Sequence, residues 1–494
     1  MTKHLLLATT ILLASCPALA QDFGPAPGER MIRRGDVPAD AGPPPLPPGV
    51  SMGGPGGPPP GGPGGPPPGG SMANVSYTAA LRIADGAYDA ARSQPGLVEG
   101  GRSGDTFARG IRIASTRANL NGVLVTGGTS AFTLSDAKLV LGGNGSNDFL
   151  GVGAGAMVTG GVMVLRNVTI DMSGPVRSGT VANDHAIMKV YDSTITAHGG
   201  PLPAGYVRHI GPGMMEPPPP LGITGTARAN LTMGQSESYF YHSKIIADGW
   251  GALSTDATGG YVYLEANDCD IRVNNSGYGA YADGGAHVAI RKSRLNVATY
   301  GAIAAGSGEV RFSDVTGSAG RDAIMIHSVM GSPSEIGIFS FTGGSFDTKD
   351  SAVLVKSANA DVTLDNVAIH PANNVLVQGI VNDDSNRTRV NGQQVAGIAV
   401  ALRNGHYQGN LLMQDNERGM TIALTRATLK GAVQNASLTL DADSRWLATG
   451  NSTVVLRGAD LDRIDASSGV TISATGISGR HALASGGVLV GAGK

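Results

Sequence analysis

Short stretches of alternating apolar and polar residues recur along most of the chain, and a polar turn divides each of them. Each copy consists of a strand-like run, then Asn, Asp or Ser, then a second strand-like run. Neighbouring copies mostly start roughly 22–31 residues apart. Clear copies are FTLSDAKLVL (132–141), MVLRNVTIDM (163–172), MKVYDSTITA (188–197), YFYHSKIIA (239–247), LEANDCDIRV (264–273) and VTLDNVAIHP (362–371).

This period predicts a solenoid in which every copy forms one coil. The segments lack a helical period, so strands rather than helices are expected to build each coil. One coil cannot bury its apolar inner face alone, whereas stacked coils share a continuous core. We therefore predict an all-β, right-handed parallel β-helix of about 15 coils over residues 74–480, with coils about 4.8 Å apart. Residues 481–494 would form a C-terminal tail or cap.

The polar turn in each copy gives the chain a resemblance to a known class of proteins. Asn or Asp occupies this turn at five positions: Asn167, Asp192, Asp268, Asn366 and Asn404. Over roughly residues 106–480 the chain resembles secreted right-handed parallel β-helix proteins of the pectin-lyase-like fold. Its last coils, beginning ASLTLDADSRWLATG, resemble autotransporter passenger β-helices. The resemblance implies the fold and leaves function open, because this fold carries lyases, hydrolases, adhesins and structural proteins.

The first 20 residues are typical of a bacterial export signal, with Lys3, a short apolar run and small residues before Gln21. The sequence ALA at 18–20 is a signal-peptidase site. An alternative site, LASC at 13–16, resembles a lipobox, in which a lipidated Cys16 would attach the protein to a membrane. Pro17 directly after that cysteine favours the first site. We predict an exported protein that is secreted, periplasmic or on the outer surface.

Two segments rich in proline and glycine interrupt the strand pattern. In residues 21–73 the octet GGPGGPPP occurs at 53–60 and again at 61–68, which predicts a disordered linker. Residues 198–230 contain many prolines and glycines and are predicted to leave the coil stack as a loop insert. Long loops on a rigid scaffold often build binding sites.

Composition narrows the functional classes. The formal net charge of −2 gives no reason to expect nucleic acid as a partner. Cys269 is the only cysteine of the predicted folded part, so no disulfide is expected there, and its side chain is expected to be a small buried group. The sequence contains no P-loop, G-x-S-x-G or H-E-x-x-H motif, and we predict no cofactor and no metal site.

Three aromatic residues recur at the start of one strand in successive copies: Trp250 in GWGALST, Tyr278 in GYGAYAD and Tyr300 in TYGAIAA. Equivalent positions of a parallel β-helix lie above each other, so the rings should form a ladder with steps of about 4.8 Å. The neighbouring glycines would leave the ring faces open to solvent as a stacking platform for sugars. In the alternative interpretation, the rings pack inside the coil or at a corner and the glycines serve tight turns.

Polar residues beside the ladder supply candidate chemistry. The ends of these three copies and of the looser copies RDAIMIH (321–327) and DSAVLVK (350–356) form a second file, with Asp256 one residue beyond its first member: Thr255, Asp283, Ala305, His327 and Lys356. Asp248 and Lys356 are candidate substrate-binding residues, together with the three aromatic residues. The candidate acid–base or charge-stabilising residues are Asp256, Asp283, His327, Arg321 and Asp322. The plainer alternative is that these are solvated surface residues.

From these features we expect a secreted or cell-surface protein of the adhesin or carbohydrate-binding type. It would bind an extended polymer, a polysaccharide, along the aromatic ladder. The alternative is a polysaccharide lyase or glycoside hydrolase that uses the carboxylate, imidazole and guanidinium groups near that ladder. The oligomeric state and the identity of the polymer are open at this point.

Overall fold

A computed structural model of the chain describes residues 76–211, 213–256, 260–329, 331–457 and 461–492. The predicted signal peptide with Cys16 and the predicted linker lie outside these residues. The described part folds as a parallel β-helix, which confirms the predicted fold class. No helix among the described residues is long and apolar enough to cross a membrane. Four short 3-10 helices are described: Pro95–Leu97, Asp148–Leu150, Pro219–Leu221 and Leu461–Arg463.

Successive coils contribute strands to three sheets, which we call A, B and C. The strands of sheet A pair in parallel from coil to coil. They are Thr78–Ala84, Leu120–Thr126, Ala156–Thr159, Thr180–Asn183, Arg228–Met233, Lys244–Asp256, Asp270–Ala282, Tyr300–Ala305, Ile324–His327, Val353–Lys356, Val375–Ile380, Asn410–Met413 and Val433–Leu440.

Sheet B follows sheet A in each coil and is also parallel. It shares the strand Val433–Leu440 with sheet A. Its other strands are Phe107–Arg109, Ala131–Ser135, Val162–Arg166, Ile187–Tyr191, Glu237–Tyr241, Val262–Asn267, Ala286–Arg291, Glu309–Ser313, Ile336–Thr342, Asn359–Asp365, Ile398–Arg403, Met420–Thr425, Ser452–Leu456, Thr471–Thr475 and Val488–Ala492.

Sheet C follows sheet B, and the long strands Lys244–Asp256 and Asp270–Ala282 run through both sheet C and sheet A. The other strands of sheet C are Arg112–Ser115, Lys138–Leu141, Thr169–Met172, Thr194–Ala197, Arg294–Val297, Thr316–Ala319, Ser345–Thr348, Ala368–Pro371, His406–Gln408, Thr428–Lys430, Arg445–Ala448 and Ile464–Ala466. Antiparallel strands occur towards the two ends of the described chain: Ala87–Tyr88, Val98–Glu99, Arg102–Ser103 and Ser478–Ala482.

The apolar side chains that point into the coils form one continuous core. In sheet B, Leu134, Leu165, Val190 and Phe240 are register partners on four successive coils, and all are fully buried. Each such side chain contributes about 1.5–3 kcal/mol relative to an exposed one. Cys269 also lies in this core, as predicted, and burial raises the pKa of its thiol to about 12. The core explains how a chain without a disulfide among its described residues maintains a long stack.

The polar turn of each copy lies between sheets B and C and requires a left-handed backbone. Asn167, Asp192, Asn366 and Asn404 have φ values of 53°, 50°, 49° and 49°. Asn and Asp tolerate this conformation better than other residues with a side chain. The Nδ2 of Asn167 also donates to Oδ1 of Asp136 on the preceding coil, at 2.9 Å. These residues therefore have a structural role in the turn.

The insert and the C-terminus differ slightly from their predicted bounds. The insert leaves the stack after Thr194–Ala197, and regular pairing resumes with Arg228–Met233 rather than after residue 230. At the other end, Val488–Ala492 pairs in parallel with Thr471–Thr475 and in antiparallel fashion with Ser478–Ala482. Strand pairing thus continues to Ala492, past residue 480, and a hairpin ends the described stack.

Candidate functional site

The three aromatic residues lie at the start of strand segments in sheet A, but only two of them are in register. Tyr278 pairs with Tyr300, as the sequence predicts. Trp250 instead pairs with Gly277, while Gly251 pairs with Tyr278. The offset follows an irregularity between Ala247 and Gly249. The predicted ladder is therefore wrong at its first step, because Trp250 lies one residue out of register with Tyr278.

The rings are also not open to solvent. Trp250, Tyr278 and Tyr300 are only 2%, 1% and 2% exposed, which corrects the prediction of an open platform. They are not part of the central core either. They belong to a separate apolar cluster, here called the outer cluster, whose members are Val176, Leu221, Ile223, Trp250, Tyr278, Tyr300, Ile303, Met325 and Leu354. Leu221 and Ile223 come from the insert, and Met214 and Met215 of the insert pack against the cluster.

Strand alternation places one file of this cluster, together with Tyr281 beside it, on the outer face of sheet A. Tyr281, Ile303, Met325 and Leu354 are register partners on successive coils. Their strand neighbours, such as Ala280 and Ala282, belong to the central core, so this file points outwards. The insert thus lies across the outer face of sheet A instead of standing beside it.

The insert is expected to shield Trp250 from solvent. In a Trp446→Phe background, iodide should quench Trp250 fluorescence weakly. Changing Leu221 and Ile223 to alanine should raise the quenching constant several-fold, since each change removes about 2–5 kcal/mol of buried contact. The matched control changes Val207 and Ile210 of the same insert, which are 77% and 57% exposed, to alanine. Strong quenching of Trp250 before any change in the insert would contradict this arrangement.

A charged rim adjoins the outer cluster at Tyr300. The guanidinium carbon of Arg321 lies 5.2 Å from the centre of the Tyr300 ring, and its Nε lies 3.2 Å from Oδ2 of Asp350. Burial is the main reason that the pKa of the Tyr300 phenol is raised to about 12. Arg321 is thus held between an aromatic face and a carboxylate.

Asp322 is the most perturbed carboxyl group of this rim. It is 1% exposed, and burial raises its pKa to about 6 in spite of a hydrogen bond from the Ser351 hydroxyl and the nearby Arg321. Its Oδ2 is buried and has no hydrogen-bond partner among the described residues. A buried oxygen of this kind disfavours the charged form of the carboxyl group.

The second predicted file of side chains is present in the structure, but its first member differs from the prediction. Ala305 pairs with His327, and His327 pairs with Lys356, as predicted. Because Ser254 pairs with Tyr281, continuing the register by two residues puts Asp256, not Thr255, beside Asp283. Thr255 is buried and bridges coils instead, donating to the Tyr281 carbonyl at 2.9 Å. The outward file therefore contains Asp256, Asp283, Ala305, His327 and Lys356.

His327 is a neutral imidazole in this file. Burial lowers its pKa to about 4, the ammonium of Lys356 lowers it further, and Asp384 opposes both effects. Its Nε2 is buried and has no hydrogen-bond partner among the described residues. Lys356 itself forms an ion pair with Asp383, with Nζ 2.8 Å from Oδ1. At neutral pH His327 can therefore accept a proton only at a substantial cost in desolvation.

The structure does not bring all candidate residues together. Asp322 and His327 lie five positions apart along one extended segment, which separates them by roughly 16 Å and prevents them from acting on one atom as an acid–base pair. Asp248 accepts a hydrogen bond from Asn274 at 2.8 Å and lies 2.9 Å from Nδ1 of His198. It thereby ties the start of the insert to the stack.

An ion pair that no sequence pattern indicated lies against the ring of Trp250. Arg228 contacts Oδ2 of Asp148 through Nε and NH2, at 2.9 and 2.7 Å, and both residues are buried. The guanidinium carbon lies 4.6 Å from the centre of the Trp250 ring and 4.8 Å from that of Phe149. The two charged residues are 80 positions apart, so no local motif indicates the pair.

A second missed feature is a network of tyrosines and glutamates on the outer face of sheet B. Tyr239 donates to Glu237 at 2.8 Å, and Tyr263 donates to Glu265 at 2.7 Å. Each tyrosine pairs in register with the other strand's glutamate. Burial, followed by the adjacent glutamate, raises the pKa of both phenols, so they remain donors. The network links neighbouring strands of the sheet. The alternation of polar and apolar residues in ESYFY and YVYLE was the sequence signal that could have indicated these outward-facing side chains.

No group of three or more His, Cys, Asp or Glu in the described ranges could hold a metal ion. Comparison of the chain with known protein families and with curated proteins finds no match in either.

Proposed function

We propose that this protein is an exported β-helix protein of the pectin-lyase-like type that binds an extended polysaccharide along the outer face of sheet A. The observation that carries the proposal is the outward file of Asp256, Asp283, His327 and Lys356. These polar side chains come from four of five successive coils, with Ala305 on the coil between Asp283 and His327, and the file follows the long axis of the stack at about 4.8 Å per coil. An extended polymer that lies along this axis could contact a polar side chain on each of the four coils.

The rim around Tyr300 adds the groups that sugar recognition uses. Arg321 and Asp350 offer donors and acceptors for hydroxyl groups, while the aromatic ring supplies an apolar surface. In this proposal Trp250 and Tyr278 do not stack on the sugar. They support the insert, which covers the part of the outer face next to the polar file.

The test is retention on a panel of immobilised polysaccharides. Changing Asp283 to Asn together with Lys356 to Gln should weaken binding about tenfold or more, because two polar contacts of about 1 kcal/mol each are lost. Asp361→Asn together with Lys138→Gln is the matched control, since both residues are exposed on sheets B and C. Equal binding by both double variants would contradict the proposal, as would the absence of any retained polysaccharide.

A second candidate function is cleavage of the bound polymer by a lyase or hydrolase. The specific observation in its favour is that neighbouring coils place Asp256 beside Asp283, in the same file as a neutral imidazole. Paired carboxylates and a neutral base are the groups that such reactions need. Release of shortened or unsaturated oligosaccharides during the binding assay, lost in Asp283→Asn and His327→Gln, would assign this activity.

A further inference from the structure

The guanidinium of Arg177 is buried at the corner between sheets C and A, where three successive coils turn. Arg177 is 0% exposed and follows the sheet C strand Thr169–Met172. Its NH2 donates to the Leu120 carbonyl at 2.7 Å, and its NH1 donates to the Arg117 carbonyl at 3.3 Å. Those carbonyls belong to the corner two coils earlier, so the side chain spans roughly 10 Å along the stack.

This buried cation has no counter-charge among the described residues. Both of its hydrogen bonds go to neutral carbonyls, and no described carboxylate forms an ion pair with it. Its Nε is buried and has no hydrogen-bond partner in the described part of the chain. Burial alone lowers the pKa of Arg177 to about 10, so the guanidinium stays charged at neutral pH. A buried charge of this kind is costly unless an opposite charge accompanies it.

Glycine residues border the guanidinium and leave room for one further atom beside it. A Cβ built on Gly153 would lie 3.4 Å from NH1 of Arg177, 3.6 Å from its Cζ and 3.5 Å from the Cα of Gly145. These are ordinary contact distances, so an atom fits there without displacing its neighbours. Gly153 has a φ of 85°, a left-handed conformation that favours glycine and thereby keeps a side chain out of this space.

Hydrogen bonds fix the walls of this space. The Gly153 N–H donates to Oδ1 of Asn121 at 3.1 Å, and Nδ2 of Asn121 donates to the Gly151 carbonyl at 2.8 Å. The Gly145 N–H donates to the Pro175 carbonyl at 2.9 Å. Asn121 belongs to the preceding coil and Pro175 to the following one. The loop beside the guanidinium is therefore tied to both of its neighbours, and the space is part of the packed fold.

We propose that this corner binds one monoatomic anion, chloride, against the guanidinium of Arg177 and the backbone of Gly153. The anion supplies the missing negative charge, and a single atom matches the space. A water molecule in the same place would leave the charge unbalanced. The segment that carries Arg177 also holds the insert, since the Val176 N–H donates to the Thr226 carbonyl at 2.5 Å. Bound chloride therefore stabilises the root of the insert, whether or not sheet A binds a polysaccharide.

The first experiment measures urea unfolding of the full-length protein at constant ionic strength, with sodium chloride replacing sodium gluconate stepwise. One ion bound only by the folded protein should raise the folding equilibrium constant about tenfold for each tenfold rise in chloride above its dissociation constant. Arg177→Met removes the buried cation and keeps an unbranched side chain, so its stability should not respond to chloride. Arg294→Met, which changes an exposed guanidinium, is the matched control and should respond like the unmodified protein.

The second experiment locates the ion in the unmodified protein and needs no variant to fold. Crystals grown in sodium bromide should show an anomalous-scattering peak in contact with Gly153 and the guanidinium of Arg177. Absence of that peak, stability of the unmodified protein that does not respond to chloride, or an equal response in Arg177→Met would each overturn the inference. A peak without any effect of chloride on stability would mark an adventitious ion only, which also overturns it.

Discussion

Replacing Asp148 by alanine is expected to destabilise the protein by about 3–5 kcal/mol, which is the cost of leaving a buried charge without its partner. Arg228 is 4% exposed and is enclosed by the rings of Trp250 and Phe149. Removal of the carboxylate leaves its guanidinium without the ion pair at 2.7 Å.

Urea unfolding followed by tryptophan fluorescence measures this loss. The double change Asp148→Leu with Arg228→Met should recover most of it, since well-packed apolar residues often replace a buried ion pair at little cost. Glu99→Ala is the matched control, because its ion pair with Arg112 is exposed and should be worth less than about 1 kcal/mol. A loss for Asp148→Ala no larger than that for Glu99→Ala would show that the buried pair is not important for stability.

The fold could be predicted from the sequence because each coil repeats a local pattern. The stretch FTLSDAKLVL folds as two strands, Ala131–Ser135 and Lys138–Leu141, joined by a left-handed Asp136. Both the alternation of side chains and the tolerance of Asp for positive φ are properties of a few neighbouring residues. Stacking then follows from the need to bury the inner face. The pairing of Tyr278 with Tyr300 is correct for the same reason.

The site was predicted less well because its geometry depends on contacts between distant segments. Trp250 pairs with Gly277 and so lies one residue out of register with Tyr278, and a displacement of one residue reverses the direction of side chains. The burial of the aromatic residues depends on Leu221 and Ile223, whose packing across sheet A is not visible in a segment rich in proline and glycine. The sequence predicts that the insert exists, but only the structure shows that it lies over the outer face of sheet A.

The expected pH dependence of stability is the second large effect, and it arises from two groups with opposite behaviour. The unfolded chain releases the Asp322 proton near pH 3.8, whereas the folded protein keeps it to about pH 6. Stability from this group therefore falls as the pH rises from 3.8 to 6. Unfolded His327 binds a proton below pH 6.5, but the folded protein binds it only below about pH 4. Stability from this group therefore falls as the pH drops from 6.5 to 4.

Asp322 and His327 each change the free energy of unfolding by about 3 kcal/mol over these pH ranges, because a difference of one pKa unit between the folded and unfolded states corresponds to about 1.4 kcal/mol. They nearly cancel between pH 4 and 6 in the unmodified protein. The free energy of unfolding of Asp322→Asn, taken as a difference from that of the unmodified protein, should therefore rise by about 3 kcal/mol between pH 4 and pH 6. His327→Gln should gain a similar amount as the pH falls from 6.5 to 4. The residues are roughly 16 Å apart, so the double variant should show the sum of both differences.

The measurement is the free energy of unfolding in urea at pH 4, 5, 6 and 7, taken as a difference from the unmodified protein. Subtraction removes the contributions of other groups, including Glu309, whose pKa remains lowered, despite its burial, by hydrogen bonds from His287 and Arg311. A packing defect in either variant shifts its curve by a constant and leaves the slope unchanged. Two parallel curves would therefore contradict the assignment, whereas slopes of opposite sign are expected only if burial keeps Asp322 protonated and His327 neutral.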